Sequence, residues 1–149
     1  MADAAQDGMG DAGSGSDTVI GADTSVIVRY LVGTPSAAAT RAARVIDGKD
    51  RIGLSLVALL ECAHVLRTQY GVDQADIISS LIELLLRENI VLLGMRNETA
   101  VDALMQARRL PGRPIPDALI VGASREAGAS PLLTFDRSMQ AYHFPMSEP

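Results

Sequence analysis

The sequence predicts an α/β fold: a three-layer sandwich in which a central parallel sheet of four to five short strands carries helices on both faces. Two observations predict it. Short, mostly apolar runs alternate with longer stretches of helical period from residue 18 onward, as a parallel sheet covered on both faces requires. Gly, Pro or Asp stands at most of the points where those helical stretches should begin or end. The chain has 149 residues, 48% of them hydrophobic, which suits one domain with a core of its own. Only 3% are aromatic and none is Trp, so that core is aliphatic.

The elements follow in order. Residues 18–22 read as a short buried strand, and residues 25–32 as a helix stopped by Gly33 and Pro35. Residues 37–47 form an Ala-rich helix closed by Gly48, and residues 51–54 a second strand. A long helix over 56–70 ends at Gly71, a residue suited to a left-handed cap. The next helix, 73–87, has Asp73 as its N-cap. Residues 90–93 are a third strand, and 98–109 a helix broken by Leu110-Pro111-Gly112-Arg113-Pro114. A last helix, 117–127, is followed by Gly128, and residues 132–135 are a fourth strand.

Residues 1–17 stand apart. They are mostly Ala, Asp, Gly and Ser, too polar to offset the entropy of ordering, and are expected to be a disordered tail before a domain spanning 18–149. That tail carries Asp3, Asp7, Asp11 and Asp17 and no basic residue, so most of the formal net charge of -5 belongs to it. The remainder is nearly neutral and lacks the global basic field that drives nucleic-acid binding. A single cysteine, Cys62, permits no intrachain disulfide, in keeping with a reducing compartment. With neither a signal-peptide pattern nor an apolar run of membrane-spanning length, the chain is expected to be cytoplasmic, with no membrane partner.

Four acids carry the chemistry: Asp23, Glu61, Asp117 and Asp136. Asp23 and Asp136 end apolar runs, Asp117 opens a helix, and Glu61 lies within the largely apolar Leu54-Ser55-Leu56-Val57-Ala58-Leu59-Leu60-Glu61. Sites on parallel sheets form at the carboxyl ends of strands, where Asp23 sits by construction. Between Asp117 and Asp136, about eleven helical residues at ~1.5 Å each lead ~17 Å away from that edge. About five strand residues at ~3.3 Å return ~17 Å, so the two acids share it. Glu61 lies shortly after the second strand, and side chains lean toward a helix N-terminus, so it reaches the same edge. Each Asp also has an ordinary explanation as a helix cap or first-turn acid. Glu61 has no capping role. Four carboxylates at one edge suit a hard divalent cation.

In this order and spacing the chain resembles the PIN-domain nucleases, and within them the VapC-like toxins of bacterial toxin–antitoxin pairs. The matching pieces are Ala22-Asp23-Thr24-Ser25, Leu56-Val57-Ala58-Leu59-Leu60-Glu61 with Val65-Leu66, and Pro116-Asp117-Ala118-Leu119-Ile120-Val121-Gly122-Ala123 leading to Leu132-Leu133-Thr134-Phe135-Asp136. The resemblance runs from residue 18 to about 142. It implies an Mg²⁺- or Mn²⁺-dependent endoribonuclease whose catalytic and metal-binding acids are Asp23, Glu61, Asp117 and Asp136. It also implies an RNA substrate, a cognate antitoxin protein and a homodimer. Thr24, Ser25 and Thr134 are candidates to bond the carboxylates or a phosphate, and Arg113 and Arg137 to hold the RNA backbone.

Two rival readings remain. A phosphoaspartyl or haloacid-dehalogenase-like phosphohydrolase would also place acids at strand ends, but needs a lysine there, and the sole lysine, Lys49, precedes a strand. An inactive PIN-like binding module would not need all four acids. Glu61-x-x-His64 lacks the second such pair of a di-iron bundle, and Cys62 reads as a small core residue. The very apolar stretch 77–86 is either core or a surface for a dimer partner or antitoxin.

Overall fold

The computed structural model describes residues 18–33 and 36–149. The tail assigned to residues 1–17, and Pro35, lie outside them. Three strands, β1 (Val19–Ala22), β2 (Arg51–Ser55) and β3 (Ile90–Leu93), form a parallel sheet in that order. Among the described residues six helices surround it: α1 (Thr24–Val32), α2 (Ala37–Ile46), α3 (Leu56–Thr68), α4 (Gln74–Leu85), α5 (Asn97–Arg109) and α6 (Ile115–Ala127). After α6 come β4 (Leu132–Leu133), a 3-10 turn (Arg137–Tyr142) and β5 (Met146–Ser147), with β4 and β5 paired parallel to each other.

The α/β architecture expected from the sequence is therefore present, its five strands divided between a three-stranded sheet and a two-stranded one. Ile52, Gly53 and Leu54 of β2 are all buried. Since alternate residues face opposite sides, β2 is covered on both. The expectation that the first strand is buried does not hold: Val19, Ile20 and Gly21 are exposed. That strand is an outer one, paired only with β2, and an apolar run reads alike in the middle of a sheet and at its border. The other outer strand, β3, is closed by a side chain. Asn97 accepts from the Leu92 N–H at 2.9 Å and donates to the Ile90 and Leu85 carbonyls at 2.9 and 3.0 Å, so that border offers few unpaired groups to another strand.

The apolar stretch 77–86 is core. Ile77, Ile78, Leu81, Ile82, Leu84 and Leu85 are buried against this chain's own residues, and of the apolar side chains in the stretch only Leu86 is strongly exposed. The idea that this stretch is a free docking surface is thereby corrected: α4 packs on α3 and α5, which consume its apolar face. The α5–α6 contact is closer still. A Cβ at Gly122 would lie 3.2 Å from the Ala103 Cβ, so the missing side chain lets α6 approach and fixes where its N-terminus stands. Gly71 plays its expected part, with φ 65° and the Val72 N–H returning to the Leu66 carbonyl at 3.0 Å. Asp73 occupies the N-cap of α4 but makes no capping hydrogen bond.

Candidate functional site

Asp23 follows β1 directly and is the N-cap of α1. Its Oδ2 accepts from the Ser25 N–H at 3.5 Å and from Ser25 Oγ at 3.1 Å. Thr24, the one buried polar residue among those described, donates from Oγ1 to Glu61 Oε1 at 2.7 Å. One hydroxyl thus ties the start of α1 to the second turn of α3 and draws Glu61 to the edge where β1 ends. A cleft of about 310 Å³ is lined by Asp23, Thr24, Ser25 and Glu61, with Arg29 and Tyr70 at its rim.

Asp117 and Asp136 form a second pair. Asp117 lies in the first turn of α6, behind Pro114 and Pro116, where the helix dipole favours an acid. Burial and the neighbouring Asp136 charge hold its carboxyl above the usual range, and Arg113 works against both. Asp136 caps the 3-10 turn, accepting at Oδ1 from the Ser138 N–H at 2.9 Å and from Ser138 Oγ. Those bonds, with Arg113 nearby, hold it below the usual carboxylate range. The helix-out, strand-back arithmetic is thus met in the pairing of these two acids.

The four acids stand as two pairs. Among the described residues no three of His, Cys, Asp and Glu are close enough together to hold a metal ion. Three of the four carboxylates are each held by a hydroxyl-bearing residue: Asp23 by Ser25, Glu61 by Thr24 and Asp136 by Ser138. Nor is any of the four buried: Asp23, Glu61 and Asp136 are exposed and Asp117 is half-buried. The donor set still fits the expected cation. Mg²⁺ takes oxygen ligands, keeps several waters and needs only one or two carboxylates beside a substrate phosphate, which a carboxylate pair supplies.

The candidate contacts to RNA fare differently. Arg113 turns inward: its guanidinium donates to Ser138 Oγ at 2.8 Å and to the Ser138 carbonyl at 2.6 Å. Thr134 makes the turn before the 3-10 segment, accepting from the Asp136 N–H at 2.9 Å. Arg137 is exposed and pairs with Glu148 at 3.1 Å. Ser138 was not among the candidates, yet it holds both Asp136 and Arg113. Its signal was the spacing Asp136-x-Ser138, in which a carboxylate caps the N–H two residues on. A larger cavity, about 840 Å³, lies along β3 and is lined by Arg51, Leu86, Arg96 and Glu126. It contains none of the four acids, so size does not mark the site here.

A PIN-domain family model matches residues 21–145. The chain belongs to the PIN-domain family. That membership identifies a nuclease-class, hydrolytic domain of a family that generally uses divalent metal ions and binds RNA. The matched span holds all four acids and both pairs. No curated protein and no solved structure matches the chain. No helix among the described residues is long and apolar enough to cross a membrane.

Proposed function

We propose that this PIN domain is an Mg²⁺- or Mn²⁺-dependent endoribonuclease of the cytoplasm, acting as the toxin of a toxin–antitoxin pair and neutralised by its cognate antitoxin. The observation that carries the enzymatic part is the two carboxylate pairs: Asp23, at the end of β1, with Glu61 in the second turn of α3, and Asp117, in the first turn of α6, with Asp136 after β4. Bound there, the cation would ease deprotonation of an attacking water and offset charge on the phosphate and leaving oxygen. The chain's own residues orient the donors. Thr24 steers Glu61, Ser25 fixes Asp23, and Ser138 fixes Asp136 while Arg113 anchors Ser138. Thr134, Ser25 and Arg137 border the acids and are the side chains that would meet RNA at the reaction centre. A homodimer is part of the same proposal.

The phosphoaspartate alternative finds no support, because Lys49 sits in the turn before β2, at the opposite end of that strand from the acids. Purified protein is expected to cleave RNA with Mg²⁺ or Mn²⁺, and Asp23→Asn or Asp117→Asn to lose that activity. Cleavage that persists in EDTA would sink the metal mechanism. For the biological role, expression should arrest growth while the Asp117→Asn chain does not; equal toxicity of the two would refute it.

A further inference from the structure

A second cleft, of about 310 Å³, is lined by residues that adjoin two of the four acids in the chain. Its apolar walls come from Leu60 of α3, Ile77 of α4, and Pro114 and Ile115 at the head of α6. Its position follows from the chain: Leu60 and His64 flank Glu61 on α3, and Pro116, also in the wall, precedes Asp117. The loop side is fixed, since Gln74 Nε2 donates to the Arg113 carbonyl at 2.6 Å. The volume is near the lower bound of ligand pockets, ~300 Å³, which suits one planar group rather than a length of polypeptide.

Besides Gln74, whose amide is held by the Arg113 carbonyl, the polar side chains in this cleft are His64 and Arg67, one turn apart on α3. Both are exposed, and neither side chain makes a hydrogen bond or ion pair among the described residues. A guanidinium without an acid partner, beside an apolar wall, offers two elements of nucleotide recognition: a planar donor fork for phosphate and an apolar face against which a base can lie. We propose that this cleft is a subsite for one nucleotide of the RNA next to the scissile bond, its base against Leu60 and Pro114 and its phosphate on Arg67 and His64. This inference rests on the RNA-cleaving reading above and assigns that reading a binding register.

The test measures binding apart from cleavage. In the Asp117→Asn background, Arg67→Gln and His64→Gln are titrated with a short fluorescein-labelled single-stranded RNA over a range of NaCl concentrations. Arg67→Gln is expected to weaken binding about tenfold, the scale of one charged hydrogen bond. It should also flatten the slope of log K against log salt by about 0.7, the loss of one phosphate contact on a single strand. Since Arg67 is exposed, an unchanged melting temperature should accompany the loss. Unchanged affinity and slope in both variants, with wild-type chain that cleaves RNA, would overturn the subsite and leave the nuclease reading standing, as would a protein ligand that protects this cleft while RNA binding is unaffected. A wild-type chain that binds RNA through Arg67 but cleaves none with Mg²⁺ would support the subsite and overturn the nuclease reading.

Discussion

Thr24→Val separates the site from the fold. The substitution keeps the shape of a side chain that is only 8% exposed and deletes the hydroxyl that donates to Glu61 at 2.7 Å. A hydrogen bond to a charged group is worth ~1.5–3 kcal/mol in favourable settings. Glu61 is exposed, so water replaces the lost donor and screening shrinks the term toward ~1 kcal/mol or less. The valine methyl, buried where a hydroxyl was, recovers part of that. The net stability change is therefore about 1 kcal/mol at most, which in a domain of this size lowers the melting temperature by roughly 4 °C or less. Activity should respond far more. Without Thr24 the Glu61 carboxylate is no longer steered to the edge where Asp23 stands, and a misplacement of about 1 Å can cost ~100-fold in rate. Turnover on RNA with saturating Mg²⁺ should fall ~10–100-fold for Thr24→Val, while Thr24→Ser, which keeps the hydroxyl, should stay within a few-fold of wild type. In a Glu61→Ala background Thr24→Val should cost nothing further if Thr24 acts only through Glu61, a non-additivity that reports coupling. Wild-type turnover in Thr24→Val would refute the steering role. So would a large loss of melting temperature in parallel with activity, because the hydroxyl would then be holding the fold.

Three further outcomes follow from the same geometry. Asp117 is held above its usual range by burial and by Asp136, so its protonated form favours the fold. That contribution is present below the unfolded value of ~3.9 and is lost as pH rises through the folded one. Asp117→Asn should accordingly melt at or above wild type at neutral pH in EDTA, and added Mg²⁺ should raise the wild-type melting temperature more than the variant's; the reverse order would contradict the carboxylate pair. Cys62 is fully buried and its thiol is pushed up to about 12 by burial. A thiol reagent at pH 8 should leave it unmodified in native protein and label it in denaturant, and rapid native labelling would contradict the packing of α3. Tyr142 is fully buried with a hydroxyl that has no hydrogen-bond partner among the described residues. Since such a group costs ~1–3 kcal/mol, Tyr142→Phe should raise the melting temperature, and a clear drop would mean the hydroxyl is satisfied.

The sequence was most legible where one local pattern sufficed. Helical period, flanked by Gly33, Gly48, Gly71 and Gly128, located every helix to within a few residues, because caps and apolar stripes are short-range signals. The Asp117–Asp136 pairing was legible too from a helix expected to lead out and a strand to return, although the strand expected over 132–135 is only Leu132–Leu133 and residues 134–136 complete the return outside any strand. What escaped depends on distant pairing. Met146–Ser147 is too short to show a period of two, and it exists because residues 145 and 147 accept bonds from residues 132 and 134. Arg113 read as a phosphate contact because it stands alone in sequence beside an acid. Its partner, Ser138, is 25 residues away. The apolar neighbours of Glu61 hide its exposure, since Cys62 and Leu59 take the buried side of α3 and leave Glu61 outside.

The capping and catalytic explanations of the acids were posed as rivals, and the geometry makes them one explanation. A cap carboxylate is pinned at a helix N-terminus with defined orientation, and in a parallel sheet those N-termini lie at the carboxyl edge. Asp23 and Asp136 spend one oxygen each on their caps, Oδ2 to Ser25 and Oδ1 to Ser138. A carboxylate has two oxygens, so the cap fixes the group while the other oxygen remains a donor for a cation. Glu61 reaches the same condition by another route: its Oε1 is held by Thr24, a residue of the very helix that Asp23 caps. Asp117 alone has no such clamp, and it is the one whose carboxyl is raised by burial and a like charge. Three acids oriented by hydrogen bonds and one by charge is an arrangement that pure capping would not require, since capping is complete without Glu61 and without bringing Asp117 beside Asp136.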